Sequence, residues 1–70
     1  MVVNIEKLKE EIKKRGMTVP AIANMLQLSP STLYRKLQNG GESLTVGETA
    51  QITDILSLST KKANEIFFGN

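Results

Sequence analysis

The chain contains no cysteine and no histidine among its 70 residues. Without cysteine there are no disulfide staples, thiolate ligands or thiol nucleophiles, and without histidine there is no imidazole base. Together the two absences remove the ordinary zinc donor sets. No apolar run approaches the roughly 20 residues that a bilayer crossing requires, and Met1, Val2 and Val3 show neither the basic n-region nor the cleavage site of a secretory leader. Seven scattered carboxylates offer little for acid–base chemistry. The expectation is a protein that is not an enzyme, uses no metal or cofactor, has no membrane association and works in the cytoplasm.

What is present describes one small soluble domain spanning residues 1–70. At this length only about 60% of the unfolded chain's surface can be buried, so the fold has to be local, well capped and economical with its core. The formal charge is +2, unevenly spread. Residues 1–15 carry five bases and three acids, residues 16–41 carry Arg35 and Lys36 with no acid, and residues 42–70 carry two bases and four acids. An acid-free middle followed by an acidic end is the asymmetry expected of a chain whose middle approaches a polyanion, although small domains also scatter charge unevenly by chance.

The pattern predicts five short helices. Asn4 caps a helix with Ile5, Leu8 and Ile12 on one face and Gly16 beyond its end. Thr18 caps a second, with Pro20 in its first turn, an apolar stripe of Ile22, Ala23 and Leu26, and an end near Leu26. Ser29 followed by Pro30 starts a third, whose apolar positions are Leu33 and Leu37 and whose stop is Asn39-Gly40-Gly41. Thr45-Val46-Gly47-Glu48 reads as a capping box ahead of a helix that buries Ile52, Ile55 and Leu56 and ends before Leu58. Ser59 or Thr60 caps the last helix, which runs through Phe68 with Gly69 as terminator. Nothing alternates with period two, so the fold class expected is all-α.

Only Gln27, Leu28 and Ser29 separate the apolar stripes of helices two and three. A connection that short between helices at about 90–120° is a helix-turn-helix, whose second helix can lie in a DNA major groove. With Leu33 and Leu37 inward, Ser31, Tyr34, Arg35 and Gln38 line the opposite face. They offer a hydroxyl, a phenol, a guanidinium and an amide without any carboxylate, groups that hydrogen-bond base edges and phosphate oxygens. Arg35 is the candidate for bidentate contact with guanine, Lys36 on the flank for a phosphate, and Thr18 for a phosphate at a helix N-terminus, where capping alone also accounts for it.

Residues 18–40, TVPAIANMLQLSPSTLYRKLQNG, resemble the helix-turn-helix of the XRE family, to which Cro and repressor proteins of bacteriophages belong. The preceding helix, the two following helices and the close near Ile66-Phe67-Phe68-Gly69 are similar to small phage-encoded Cro-like regulators. The resemblance implies a compact five-helix, lambda-repressor-like DNA-binding domain that regulates transcription as a dimer in a bacterial host cell. It also implies that Ser29 and Thr32 belong to the start and body of the recognition helix. Ile22-Ala23 matches the family's aliphatic-alanine pair, where a small residue lets two helices touch. Gln27 stands where the family usually places Gly, which puts a non-glycine residue in a left-handed conformation. Val19 replaces a common Gln, Pro30 a common polar base reader, and Glu42 an expected base.

Those last three replacements and the low net charge favour an alternative, a helix-turn-helix repurposed to bind another protein such as a repressor, in the manner of an antirepressor or antitoxin-like adaptor. Elsewhere the readings are structural. Lys13-Lys14-Arg15 complements the dipole of helix one, Met17 and Met25 fill gaps in the core, and Glu6, Glu10 and Glu11 share a solvated face with lysines. Phe67 and Phe68 lie about 100° apart on a helix, so one ring is left over. With Ile66 they form the candidate homodimer interface, the alternative being that both rings tuck under helix one.

Overall fold

Five α-helices and one 3-10 turn make up the regular structure of the computed structural model, which describes residues 2–69. The helices are α1 (Ile5–Lys14), α2 (Val19–Met25), α3 (Pro30–Leu37), α4 (Val46–Ile55) and α5 (Thr60–Phe67), and the turn, Asn39–Gly41, follows α3. Among the described residues there is no strand, and no helix is long and apolar enough to cross a membrane. The all-α class expected from the sequence is the class observed.

Each helix starts on a side-chain cap. Asn4 Oδ1 accepts from the Lys7 N–H at 3.1 Å, Thr18 Oγ1 from Ala21 at 3.2 Å, Ser29 Oγ from Thr32 at 3.2 Å, Thr45 Oγ1 from Glu48 at 3.0 Å and Ser59 Oγ from Lys62 at 3.1 Å. Glu48 closes the capping box, its Oε1 accepting from the Thr45 N–H at 2.9 Å. Caps contribute about 1 kcal/mol each, which matters because helices of seven to ten residues do not persist alone.

One corner is used three times. Arg15-Gly16-Met17-Thr18, Leu26-Gln27-Leu28-Ser29 and Leu56-Ser57-Leu58-Ser59 each hold a helix end, a left-handed residue, an apolar residue and the next N-cap. The left-handed residues are Gly16, Gln27 and Ser57, with φ of 68°, 60° and 51°. Their N–H groups donate to the carbonyls of Lys13, Asn24 and Asp54, and the following N–H groups of Met17, Leu28 and Leu58 donate to Ile12, Ala23 and Thr53. This double hydrogen bond satisfies carbonyls that the helix end leaves free and turns the chain sharply. No fixed-period repeat marks the three corners in the sequence.

The core gathers Val3, Leu8, Ile12, Ile22, Ala23, Leu33, Leu37, Leu44, Ile52, Leu56, Leu58, Ile66 and Phe67, so all five helices contribute. The most extensive helix pairing is α2 against α3, where Ala23 is fully buried and its single methyl permits close approach. Three expectations are corrected. Met25 is 57% exposed, since its place two residues beyond the buried Ala23 sets it about 200° around α2. Ile55 is only partly buried. Glu11 belongs to no solvated face: it is 6% exposed, with Arg15 Nε and Lys62 Nζ at 3.9 and 3.8 Å from its carboxylate and with Oε2 lacking a hydrogen-bond donor. Periodicity within α1 does not reveal that α5 brings Lys62 over that edge.

The N-terminal segment ties the ends of the fold together. The Val3 N–H donates to the Gly40 carbonyl at 2.8 Å and the Asn4 N–H to the Ile66 carbonyl at 2.7 Å, so residues 3–4 bridge the turn after α3 and the end of α5. Gly41, at φ 71°, is required there because a Cβ would stand 2.8 Å from a Val3 methyl.

Candidate nucleic-acid interface

Leu33 and Leu37, both buried, roll α3 so that Ser31, Tyr34, Arg35 and Gln38 face outward, and all four are exposed. Three of the four lie on α3 itself, and Gln38 is its C-cap. Among the described residues no carboxylate lies within ion-pair distance of Arg35. Some cations on α1 and α5 are paired, Lys7 with Glu65 at 3.9 Å and Lys62 with Glu65 at 3.6 Å as well as with Glu11, whereas Lys9, Lys13, Lys14 and Lys61, like Arg35, have no carboxylate within that distance among the described residues. The α2–α3 segment thus presents a guanidinium whose donors are unclaimed, on a stretch with no acid of its own.

The remaining candidates at the helix starts are engaged in capping. Thr18 Oγ1 holds the Ala21 N–H, and Ser29 Oγ lies 2.7 Å from Thr32 Oγ1 and 3.3 Å from Ser31 Oγ in addition to its cap bond. Ser29, Ser31 and Thr32 form a hydroxyl cluster at the start of α3, with Ser29 and Ser31 exposed and Thr32 half-buried.

Lys36 departs from the expected phosphate contact. Its Nζ lies 3.4 Å from Glu48 Oε1 and donates to the Ser43 carbonyl at 3.3 Å, and its side chain is 22% exposed. The reason is tertiary: the loop after Gly41 returns along the flank of α3 and sets the capping-box carboxylate of α4 within reach. Neither Ser43 nor Glu48 was singled out for this from the sequence, since spacing along one helix says nothing of a carboxylate on another.

The expected dimer contact is also corrected in part. Ile66 and Phe67 are 0% and 1% exposed, packed in the core of their own chain, whereas Phe68 is 57% exposed. The 100° step between the two rings separates them, and Phe68 is the one left over. A shallow depression on α5, lined by Thr60, Lys61, Asn64 and Glu65, includes no residue of α3. Comparisons with protein-family models, curated proteins and solved structures returned no match.

Proposed function

We propose that the chain is a sequence-specific DNA-binding transcriptional regulator of the helix-turn-helix, lambda-repressor-like kind, with α3 as its recognition helix. The observation that carries the reading is the outward face of α3, where Ser31, Tyr34, Gln38 and the unpaired Arg35 stand exposed on an acid-free segment. A B-DNA major groove about 12 Å wide admits a helix, and Arg35 offers the fork that binds guanine O6 and N7. Ser31, Tyr34 and Gln38 supply the neighbouring base-edge or backbone bonds, and Thr18 offers its own backbone N–H to a phosphate. The protein performs no chemistry; by occupying an operator it blocks or redirects polymerase.

One copy measures 29 × 24 × 20 Å. It cannot reach two half-sites about 34 Å apart, so the reading includes a two-fold homodimer, with Phe68 at its contact. Selection of bound duplexes from a random pool tests the proposal, with a palindrome expected and no enriched sequence as the contrary result. On the recovered duplex, affinity should fall from 50 to 200 mM salt. Arg35→Ala should relax the preference at one base position by about 1–3 kcal/mol.

A second reading, docking onto another repressor protein, is favoured by the exposure of Met25 and Tyr34, 57% and 50%, on the same helix pair. Size-exclusion separates the two. A chain that co-elutes with a repressor and shifts no duplex at low salt belongs to the second.

A further inference from the structure

Eight residues make α3 a short helix whose inner side is set by the buried Leu33 and Leu37. Beyond Leu37 the chain becomes extended at Gln38 and then passes through three left-handed residues, Asn39, Gly40 and Gly41, at φ 54°, 68° and 71°. Leu33 and Leu37 lie one turn apart on a single face. The flank is occupied by Lys36, whose ammonium reaches Glu48 Oε1 at 3.4 Å and the Ser43 carbonyl at 3.3 Å. Glu48 is itself fixed, 16% exposed and holding the Thr45 N–H at 2.9 Å, so the lysine is anchored to the start of α4 by an acceptor already locked in place.

We infer that Lys36 is a positioning residue: through Glu48 and the Ser43 carbonyl it braces the outward face of α3 against α4 and does not itself contact DNA. The inference rests on the DNA-binding reading above and deepens it. A recognition surface has to be held within about 0.5 Å of its working geometry by residues behind it. Lys36 sits beside Arg35 and supplies that lateral hold. The pair also neutralises its own charge, which leaves Arg35 as the uncompensated cation between residues 16 and 41. Sequence-independent attraction to phosphates is thereby kept low relative to base contact.

The test compares Lys36→Met, Glu48→Gln and the double variant with the wild-type chain, on the duplex recovered by selection and on a random duplex, across a salt series. Glu48→Gln keeps an acceptor for the Thr45 N–H, and coincident far-UV circular dichroism shows that the fold is retained. Each single variant is expected to lower the ratio of selected to random binding by about twofold or more, and the double variant by no more than either single one. The slope of log affinity against log salt should not change. A phosphate contact would behave oppositely: Lys36→Met would reduce that slope by about 0.9, and Glu48→Gln, which removes a negative charge, would bind as tightly as wild type or tighter. That pattern overturns the brace.

If the wild-type chain retains no duplex at 50 mM salt, it is the DNA reading that falls. The brace is then decided by amide resonances of the free protein. Displacement of the Tyr34 to Gln38 signals by Glu48→Gln supports it, and unchanged signals overturn it.

Discussion

At the scale of single residues, two side-chain roles and one glycine turn on contacts made by distant parts of the chain. Glu11 sits on the edge of the α1 stripe and is buried, with Lys62 of α5 3.8 Å from its carboxylate. Lys36 occupies a flank that spacing assigns to solvent, and the return of the chain after Gly41 gives it Glu48. Gly41 combines a left-handed φ with a Val3 methyl 2.8 Å from where its Cβ would stand, whereas Gly16 has φ 68° and open space around it. Gly41→Ala is therefore expected to cost about 2–4 kcal/mol, from backbone strain plus overlap, and Gly16→Ala about 1 kcal/mol from strain alone. Urea unfolding of the two variants checks this. Equal losses would mean that Val3 is not seated against Gly41.

At the scale of elements, the helix starts were legible because a cap is a contact between residues three apart. Asn4, Thr18, Ser29, Thr45 and Ser59 all accept from the N–H three positions on. The helix ends were legible at Gly16, and near Leu26 through the resemblance that makes Gln27 left-handed, but nothing marked Ser57 as the left-handed residue after α4. Ser57 at φ 51° repeats the role of Gln27 at φ 60°, yet serine signals capping more than a left-handed turn. Both residues carry a Cβ in a conformation that costs L-residues about 1–2 kcal/mol. Gln27→Gly and Ser57→Gly should each raise stability by about 0.5–1 kcal/mol, the strain relieved less the added entropy of an unfolded glycine. A rise in thermal midpoint for both checks it, and a fall for either would show that its side chain contributes more than its backbone loses.

At the scale of the whole molecule, Phe67 and Phe68 divide the labour. Phe67, 1% exposed, is the largest side chain fully enclosed by the core, and Phe68 is 57% exposed at the close of α5. Phe67→Ala should cost about 3–5 kcal/mol, much of what a domain this small possesses. Phe68→Ala should leave unfolding of the single chain within about 0.5 kcal/mol and, on the proposed dimer reading, weaken self-association. Sedimentation of wild type and both variants distinguishes these outcomes, and a Phe68→Ala chain that associates as wild type does would move the dimer contact elsewhere.

The sequence by itself determined what short-range physics governs: the all-α class, five capped starts, the proline-led beginning of α3, and a polar outward face of Ser31, Tyr34, Arg35 and Gln38 opposite Leu33 and Leu37. Each follows from bonds or clashes within about one helical turn. The tertiary structure alone decided which charges stay available. Whether Lys36 meets Glu48, whether Glu11 is covered by Lys62 and whether Phe67 or Phe68 turns inward depend on how separate helices are set against one another. That setting comes from packing thirteen buried apolar residues together with chain-distant hydrogen bonds such as Val3 to Gly40. No local pattern encodes it, because the interacting groups are close in space and far apart along the chain.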